Sequence, residues 1–180
     1  MSRGREIKAL LFDFDGTIVE SESPAYRSWL EVYAEHGHEL EMSVWASALG
    51  TLGGFDAIAH LEGLIGAELP DRGDLATRRR LRKRQLVEAE GFRAGVERYL
   101  EDAEALGLLV AIVTSDSTDW IAWNLGRLGR SEGWACIHCA DGDHAKAKPD
   151  PHLYLAALAS LGLDADQAIA IEDSPNGVAA

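Results

Sequence analysis

Cysteine is nearly absent: the 180 residues hold two, both inside the short stretch "WACIHCAD". Cys136 and Cys139 form a lone C-x-x-C, a pattern open to a redox pair or half of a zinc site. No further zinc ligands follow at a matching spacing, so the pair reads as two strand cysteines. Long apolar runs are missing too, and nothing approaches the roughly 18 to 20 residues of a membrane span. The start "MSRGREIKAL" lacks the longer apolar core of a secretion signal, and the expectation is a cytoplasmic protein with no membrane partner. Basic residues are scarce, 17 Lys and Arg against 30 Asp and Glu, for a formal net charge of -13. Nucleic-acid binding rests on neutralising phosphates with Lys and Arg, so nucleic acid is not the expected partner. A small anionic substrate answers to the local field of its cleft and stays open.

What is present is an ordinary globular composition, 47% hydrophobic and 26% charged, in a length that suits one domain, or one domain with a smaller insert. Three short apolar runs share one design. "IKALLF" ends in Asp13, "LLVAIV" ends in Thr114 and Ser115, and "AIAI" ends in Glu172 and Asp173. Near-continuous apolar runs of this length are expected of parallel strands buried on both faces. "WACIHCA" is a weaker fourth candidate. Between the runs lie helical patterns that stop at glycine: "AGVERYLEDAEALG", "STDWIAWNLGRLG" and "DPHLYLAALASLG". Strands alternating with helices predict a doubly wound α/β sheet, whose ligands bind outside the carboxyl ends of the strands.

From about residue 20 to 91 the alternation breaks into helical patches such as "AYRSWLEVYAEHG", "DAIAHLEGLIG" and "LATRRRLRKRQLVEAE", which predicts a helical insert after the first strand. Within it, "RRRLRKR" at 78 to 84 has three readings: a solvated helix face, a subset holding the anionic remainder of a substrate, or a nucleic-acid patch. The tryptophans, among them Trp29, Trp45 and Trp120, read as core or domain-interface residues, and His36, His60 and His152 as surface or packing residues. The chain stops soon after the last apolar run, and truncation at the C-terminus is the expectation.

If the three strand ends converge, Asp13, Asp15, Glu172 and Asp173 meet the hydroxyls of Thr114 and Ser115 and a lysine from "AKAKPDP". Several carboxylates with few histidines form an oxygen-ligand site for a hard cation, Mg²⁺ in particular. Hydroxyls leading into a helix and a lysine suit a phosphoryl group. One carboxylate can attack phosphorus while a second carboxyl group moves the proton. "EDS" before the last helical segment has a second reading as a helix cap, compatible with metal binding.

These residues resemble the haloacid dehalogenase-like hydrolase superfamily: "DFDGT" its first motif, "VAIVTS" its second, "KPDP" its lysine motif and "IEDSPNGVAA" its acidic fourth, in the family's order. The resemblance implies a Rossmann-like α/β core, here residues 1–19 and 92–180 with the C-terminal strand and helices missing. It also implies an inserted α-helical cap, residues 20–91, as in the subclass of phosphoglycolate phosphatases and β-phosphoglucomutases. By resemblance Asp13 is the nucleophile and Asp15 the general acid/base, with the Asp15 backbone carbonyl on Mg²⁺. Asp13 and Asp173 are implied metal ligands, with Glu172 acting mainly through bound water. Thr114 and Ser115 are implied to bind the substrate phosphate, and Lys148 to bridge phosphate and nucleophile. The glycine that usually precedes that lysine is Ala147 here, and Lys146 lies two residues earlier.

The family's dehalogenases and phosphonatases lack an aspartate at the Asp15 position, which favours a phosphate ester. β-Phosphoglucomutases usually carry a histidine where Ala25 stands and a cap arginine that "TLGGFDAI" lacks. The expected activity is therefore a Mg²⁺-dependent phosphatase acting on a small phosphorylated metabolite through an aspartyl-phosphate, as a monomer or weak homodimer. A sugar phosphomutase, or an inactive fragment serving as a binding module, are the alternatives.

Overall fold

The computed structural model describes residues 6–46 and 55–180. Residues 47–54, part of the expected helical insert and including the first four of "TLGGFDAI", lie outside the described residues. In chain order the elements are β1 (Ala9–Phe12), α1 (Glu22–Glu35), α2 (Met42–Ala46), α3 (Ala57–Ile65), α4 (Arg72–Val87) and α5 (Val96–Ala105). There follow β2 (Leu109–Thr114), α6 (Thr118–Arg127), β3 (Cys136–Cys139), α7 (His152–Leu161), β4 (Ala168–Ile171) and α8 (Pro175–Ala179). Contacts divide the described residues into two compact units, one reaching Val19 and resuming at Gly91, the other running from Glu20 to Glu90.

The first unit is a parallel α/β sheet in the order β3-β2-β1-β4. Its register sets Phe12 beside Ile112 on one side and Ile171 on the other, so the carboxyl ends of β1, β2 and β4 fall in one row. Side chains alternate across the sheet. Ala9, Leu11, Ala111 and Val113 pack with Leu153, Tyr154, Ala157 and Leu158 of α7. On β1 the alternate residue Phe12 meets Tyr99 of α5 edge to face, ring centroids 6.3 Å apart. Burying side chains of the size of Phe12 or Ile112 stabilises by roughly 1.5–3 kcal/mol each.

β1 is buried throughout, but β4 is not: Ile169 is 46% exposed and the other three residues are partly or largely open. Apolar composition alone predicted a strand covered on both faces. Its place at the edge of the described sheet, paired only to β1, accounts for the difference. The cysteines on β3 are free thiols, and three residues apart on a strand they leave opposite faces.

The second unit is helical. Val32, Tyr33, Leu40, Ala57, Leu61 and Leu75 make its core. The Tyr33 hydroxyl donates to the Ala57 carbonyl at 2.8 Å and lies 2.8 Å from His60 Nδ1, which makes His60 a packing residue. Asp56 starts α3 by accepting from the backbone N–H groups of Ile58 and Ala59, each at 3.0 Å. The basic run on α4 is largely turned to α1. Arg82 grips Glu31 through Nε at 2.6 Å and Nη2 at 2.8 Å, and Arg78 reaches Glu35 at 3.5 Å. Arg79 lies over the Trp29 ring, 4.8 Å from its centroid, and donates to the Ala25 carbonyl at 3.2 Å. The basic run thus serves helix–helix packing, with cation–π and bidentate ion-pair geometry that Arg makes well.

Glu62 of α3 closes this unit. Its carboxylate accepts from the Leu69 N–H and from Arg72 Nε, both at 2.7 Å, and pairs with a second Arg72 nitrogen. The Arg72 hydrogen bonds, then the Leu69 N–H, hold the Glu62 carboxyl below its ordinary value of 4.5. A folded-state value below the unfolded one gives stability that is present above the unfolded value and is lost as pH falls through the folded one. Glu62→Gln is therefore expected to be less stable than the parent near neutral pH, with the gap closing as pH drops below 4.5; urea midpoints across pH 3 to 7 measure it.

Candidate active site

Parallel register decides what meets at the carboxyl end of the sheet. The Asp13 N–H donates to the Ile171 carbonyl at 3.0 Å, which continues the β1–β4 ladder by one residue and sets Asp13 beside Glu172. Lys148, preceded by buried Ala147, reaches in from the segment before α7. Its ammonium donates to Asp13 Oδ1 at 2.5 Å and to the Val113 carbonyl at 2.8 Å, and it pairs with Glu172 Oε1 at 2.5 Å. Three acceptors match the three protons of an ammonium. The Lys148 side chain is only 2% exposed, so its charge is balanced inside the protein by two carboxylates. Lys146, the neighbouring candidate, lies half-exposed against Asp143 at 2.9 Å and stays away from this cluster.

The acidic side of the cluster is crowded. Oxygen atoms of Asp13, Glu172 and Asp173 lie within 4.8 Å of one another. Two glycines make room for them: a Cβ on Gly16 would collide with the Asp173 carboxylate, and one on Gly177 with that of Glu172. Gly16 also adopts φ +83°, a conformation L-residues rarely take. Ser174 caps α8 by accepting from the Gly177 N–H at 3.0 Å, so "EDS" both caps a helix and delivers two carboxylates. Burial pushes the Asp13 carboxyl up to about 8, opposed by Lys148 and reinforced by Glu172. Burial, then Glu172, raises Asp173 as well.

This arrangement fits a hard cation. Its donors are all oxygens, it sets three carboxyl groups against one ammonium, and Glu172 Oε2 is buried with no hydrogen-bond partner among the described residues. An orphaned carboxylate oxygen in a cluster of three carboxyl groups gives a divalent ion a place that no donor among the described residues fills.

The hydroxyls lie beside the cluster. Thr114, 1% exposed, accepts the Asp116 N–H on Oγ1 at 3.0 Å, and Ser115 Oγ accepts the Lys148 N–H at 3.1 Å. Asp15, two residues beyond Asp13, accepts on Oδ1 from the Trp120 indole N–H at 2.9 Å. Tyr154 donates its hydroxyl to Glu172 Oε1, with burial and that bond pushing the phenol far above its usual value. Sequence reading gave neither Tyr154 nor Trp120 a part here, because an aromatic residue on an apolar helical stripe reads as core. The sequence signal available was only that each aromatic carries a polar tip, which seeks a partner when buried.

The haloacid dehalogenase-like hydrolase family model matches residues 7–180. The chain belongs to this family. YhcW of Bacillus subtilis (strain 168), named as a candidate phosphatase, is 40% identical over 171 residues, covering 95% of this chain and 77% of that protein. The CbbY protein of Rhodobacter capsulatus is 31% identical over 183 residues, covering 97% and 80% of the two chains. The crystal structure of CbbY from Rhodobacter sphaeroides in complex with phosphate superposes with a TM-score of 0.71 at 28% identity, covering 96% of this chain and 80% of that one. The Rossmann-like α/β fold is thus that of the family, and the chain is an enzyme of the phosphoric monoester hydrolase kind.

Removing Lys148 leaves Asp13 and Glu172 facing each other in a buried site. Lys148→Met is expected to lower the unfolding free energy by about 3–5 kcal/mol, the usual cost of stripping one partner from a buried ion pair. Urea unfolding with a metal chelator present measures it, and an unchanged midpoint would contradict a structural role for this triad.

Proposed function

We propose that the protein is a cytoplasmic, Mg²⁺-dependent phosphatase that hydrolyses a small phosphorylated metabolite through an aspartyl-phosphate on Asp13, with residues 20–91 selecting the metabolite. The observation that carries this reading is the Asp13 carboxylate held 2.5 Å from Lys148 at the mouth of the sheet, with a second carboxylate, Asp15, two residues on. Lys148 keeps the Asp13 oxygen oriented and offsets the burial that disfavours its charged, nucleophilic form. Asp13, Asp173, Glu172 and the Asp15 backbone carbonyl are the groups that would hold Mg²⁺. When bound, that ion supplies positive charge against the phosphoryl oxygens and the carboxylates around it.

The chain's own residues do the rest. Asp13 attacks phosphorus while Asp15 gives its proton to the leaving oxygen; Asp15 then takes a proton from the water that attacks the aspartyl-phosphate, releasing phosphate and restoring both carboxyls. Thr114 and Ser115 each accept a backbone N–H on the hydroxyl oxygen, so each retains its own proton to donate to a phosphate oxygen. Tyr154 steadies Glu172 through its hydroxyl hydrogen bond. The relative named for phosphatase activity and the phosphate-bound neighbour support the substrate class. The protein would act as a monomer or weak homodimer.

The test is phosphate release from phosphosugars, phosphoglycolate and nucleoside monophosphates, with and without Mg²⁺. Asp13→Asn is expected to abolish turnover, and Asp15→Asn to slow it by roughly 10²–10⁴-fold. A chelator is expected to stop release and added Mg²⁺ to restore it. Conversion of a sugar 1-phosphate to an isomeric sugar phosphate, in place of free phosphate, would overturn the reading in favour of a mutase.

A further inference from the structure

Asp15 and Trp120 are 105 residues apart in the chain, yet the Trp120 indole N–H donates to Asp15 Oδ1 at 2.9 Å. Apolar packing alone would be met by Phe or Leu at this 7%-exposed position; the indole adds one directed donor. That donor is held in place from several directions. Ser117 caps α6 by accepting the Trp120 N–H at 3.3 Å. Asp141, from the segment after β3, clamps the first residue of α6 by accepting from the Thr118 N–H at 2.6 Å and the Thr118 hydroxyl at 2.9 Å. The Trp120 ring stacks on Trp123 with centroids 5.2 Å apart, and Trp123 lies under the Arg127 guanidinium at 5.3 Å. Arg127 donates to Asn124 Oδ1 at 2.8 and 3.0 Å, and the fully buried Asn124 amide donates back to the Trp120 carbonyl at 3.0 Å. The network closes on the residue it starts from.

We propose that Trp120 is a positioning residue for proton transfer by Asp15, a role that rests on the phosphatase reading above. An indole N–H donates and never accepts, so Oδ1 receives this bond in either protonation state, and the mobile proton is carried on Oδ2. The carboxyl plane is thereby fixed. In the first step the Asp13 oxygen bonds to phosphorus as the bond from phosphorus to the leaving oxygen breaks. The leaving oxygen takes the proton from Asp15 Oδ2, and the new carboxylate charge is met at Oδ1 by an indole hydrogen bond that strengthens as the charge forms. In the second step Asp15 Oδ2 takes the proton of the attacking water while the bond from phosphorus to Asp13 breaks. Donors aimed at a charge that develops during reaction accelerate it more than they tighten binding.

The experiment is a series of ring-substituted phenyl phosphates, from the 4-nitrophenyl ester to the unsubstituted phenyl ester, with Trp120→Phe compared against the unmodified chain. Trp120→Phe keeps an aromatic ring and removes the donor. Its kcat/KM is expected to fall more as the leaving phenol becomes more basic: about threefold at the nitrophenyl ester and about thirtyfold at the phenyl ester, part of the range general acids contribute. A purely structural role lowers every ester alike, so parallel slopes for the two proteins would overturn the proposal. Absence of phosphate release from every ester by the unmodified chain would instead overturn the phosphatase reading. Asp15→Asn is expected to steepen the slope by itself, and adding Trp120→Phe to it should steepen the slope no further. Independently of turnover and of how Trp120→Phe folds, the Trp120 indole N–H resonance is expected to shift in Asp15→Ala more than those of the other four of the five tryptophans; an unmoved resonance also overturns the proposal.

Discussion

The Lys148 ammonium sits between Asp13 and Glu172, 2.5 Å from each, in a place that water hardly reaches, and the site is organised around that buried charge. A lone ammonium there would cost several kcal/mol in lost hydration, and two adjacent carboxylates would repel. Together they form a compact unit in which one oxygen, Glu172 Oε2, has no hydrogen-bond partner among the described residues. The raised Asp13 carboxyl reports the same tension, since burial and Glu172 push it up while Lys148 holds it down.

Backbone geometry makes that unit possible. Parallel strands end on the same side, and the pairing of Phe12 with both Ile112 and Ile171 brings residues 13, 113 and 172 into one row. Gly16 and Gly177 then let the chain pass so near the carboxylates that any side chain at either position would strike one. On the α6 side the same closeness is used for orientation: a capped helix start presents an indole N–H to Asp15, while an Asp–Thr clamp and a stacked Trp–Trp–Arg column keep the helix start from drifting. The helical unit is built by different means. An apolar cluster around Tyr33 and Leu61 is tied by Arg–Glu pairs, so the long basic run of α4 is spent mainly on α1.

Much of this was legible in the sequence because it depends on local chemistry. Apolar runs ending in Asp13, in Thr114, and in Glu172 and Asp173 named the strands and their ligand-facing ends; glycine stops named the helices; and four short motifs in order named the family before any coordinates. Less legible was exposure. "AIAI" reads as a buried strand, yet β4 sits at the edge of the described sheet with Ile169 half in solvent, because an apolar pattern records what a strand can bury and its neighbours decide what it does bury. Helix α2 was unmarked as well, since its five described residues show little periodicity.

Residue types and their order thus determined the fold class, the family and the set of groups able to do chemistry. Tertiary structure alone decided which of those groups touch. Lys148 enters the cluster and Lys146 pairs with Asp143 on the surface, although both lie in "AKAKPDP". Trp120 and Tyr154, indistinguishable from core aromatics in the sequence, turn their polar tips to Asp15 and Glu172. The reason is that a hydrogen bond between residues 105 apart is set by strand register and helix placement, quantities that no local pattern of residues encodes.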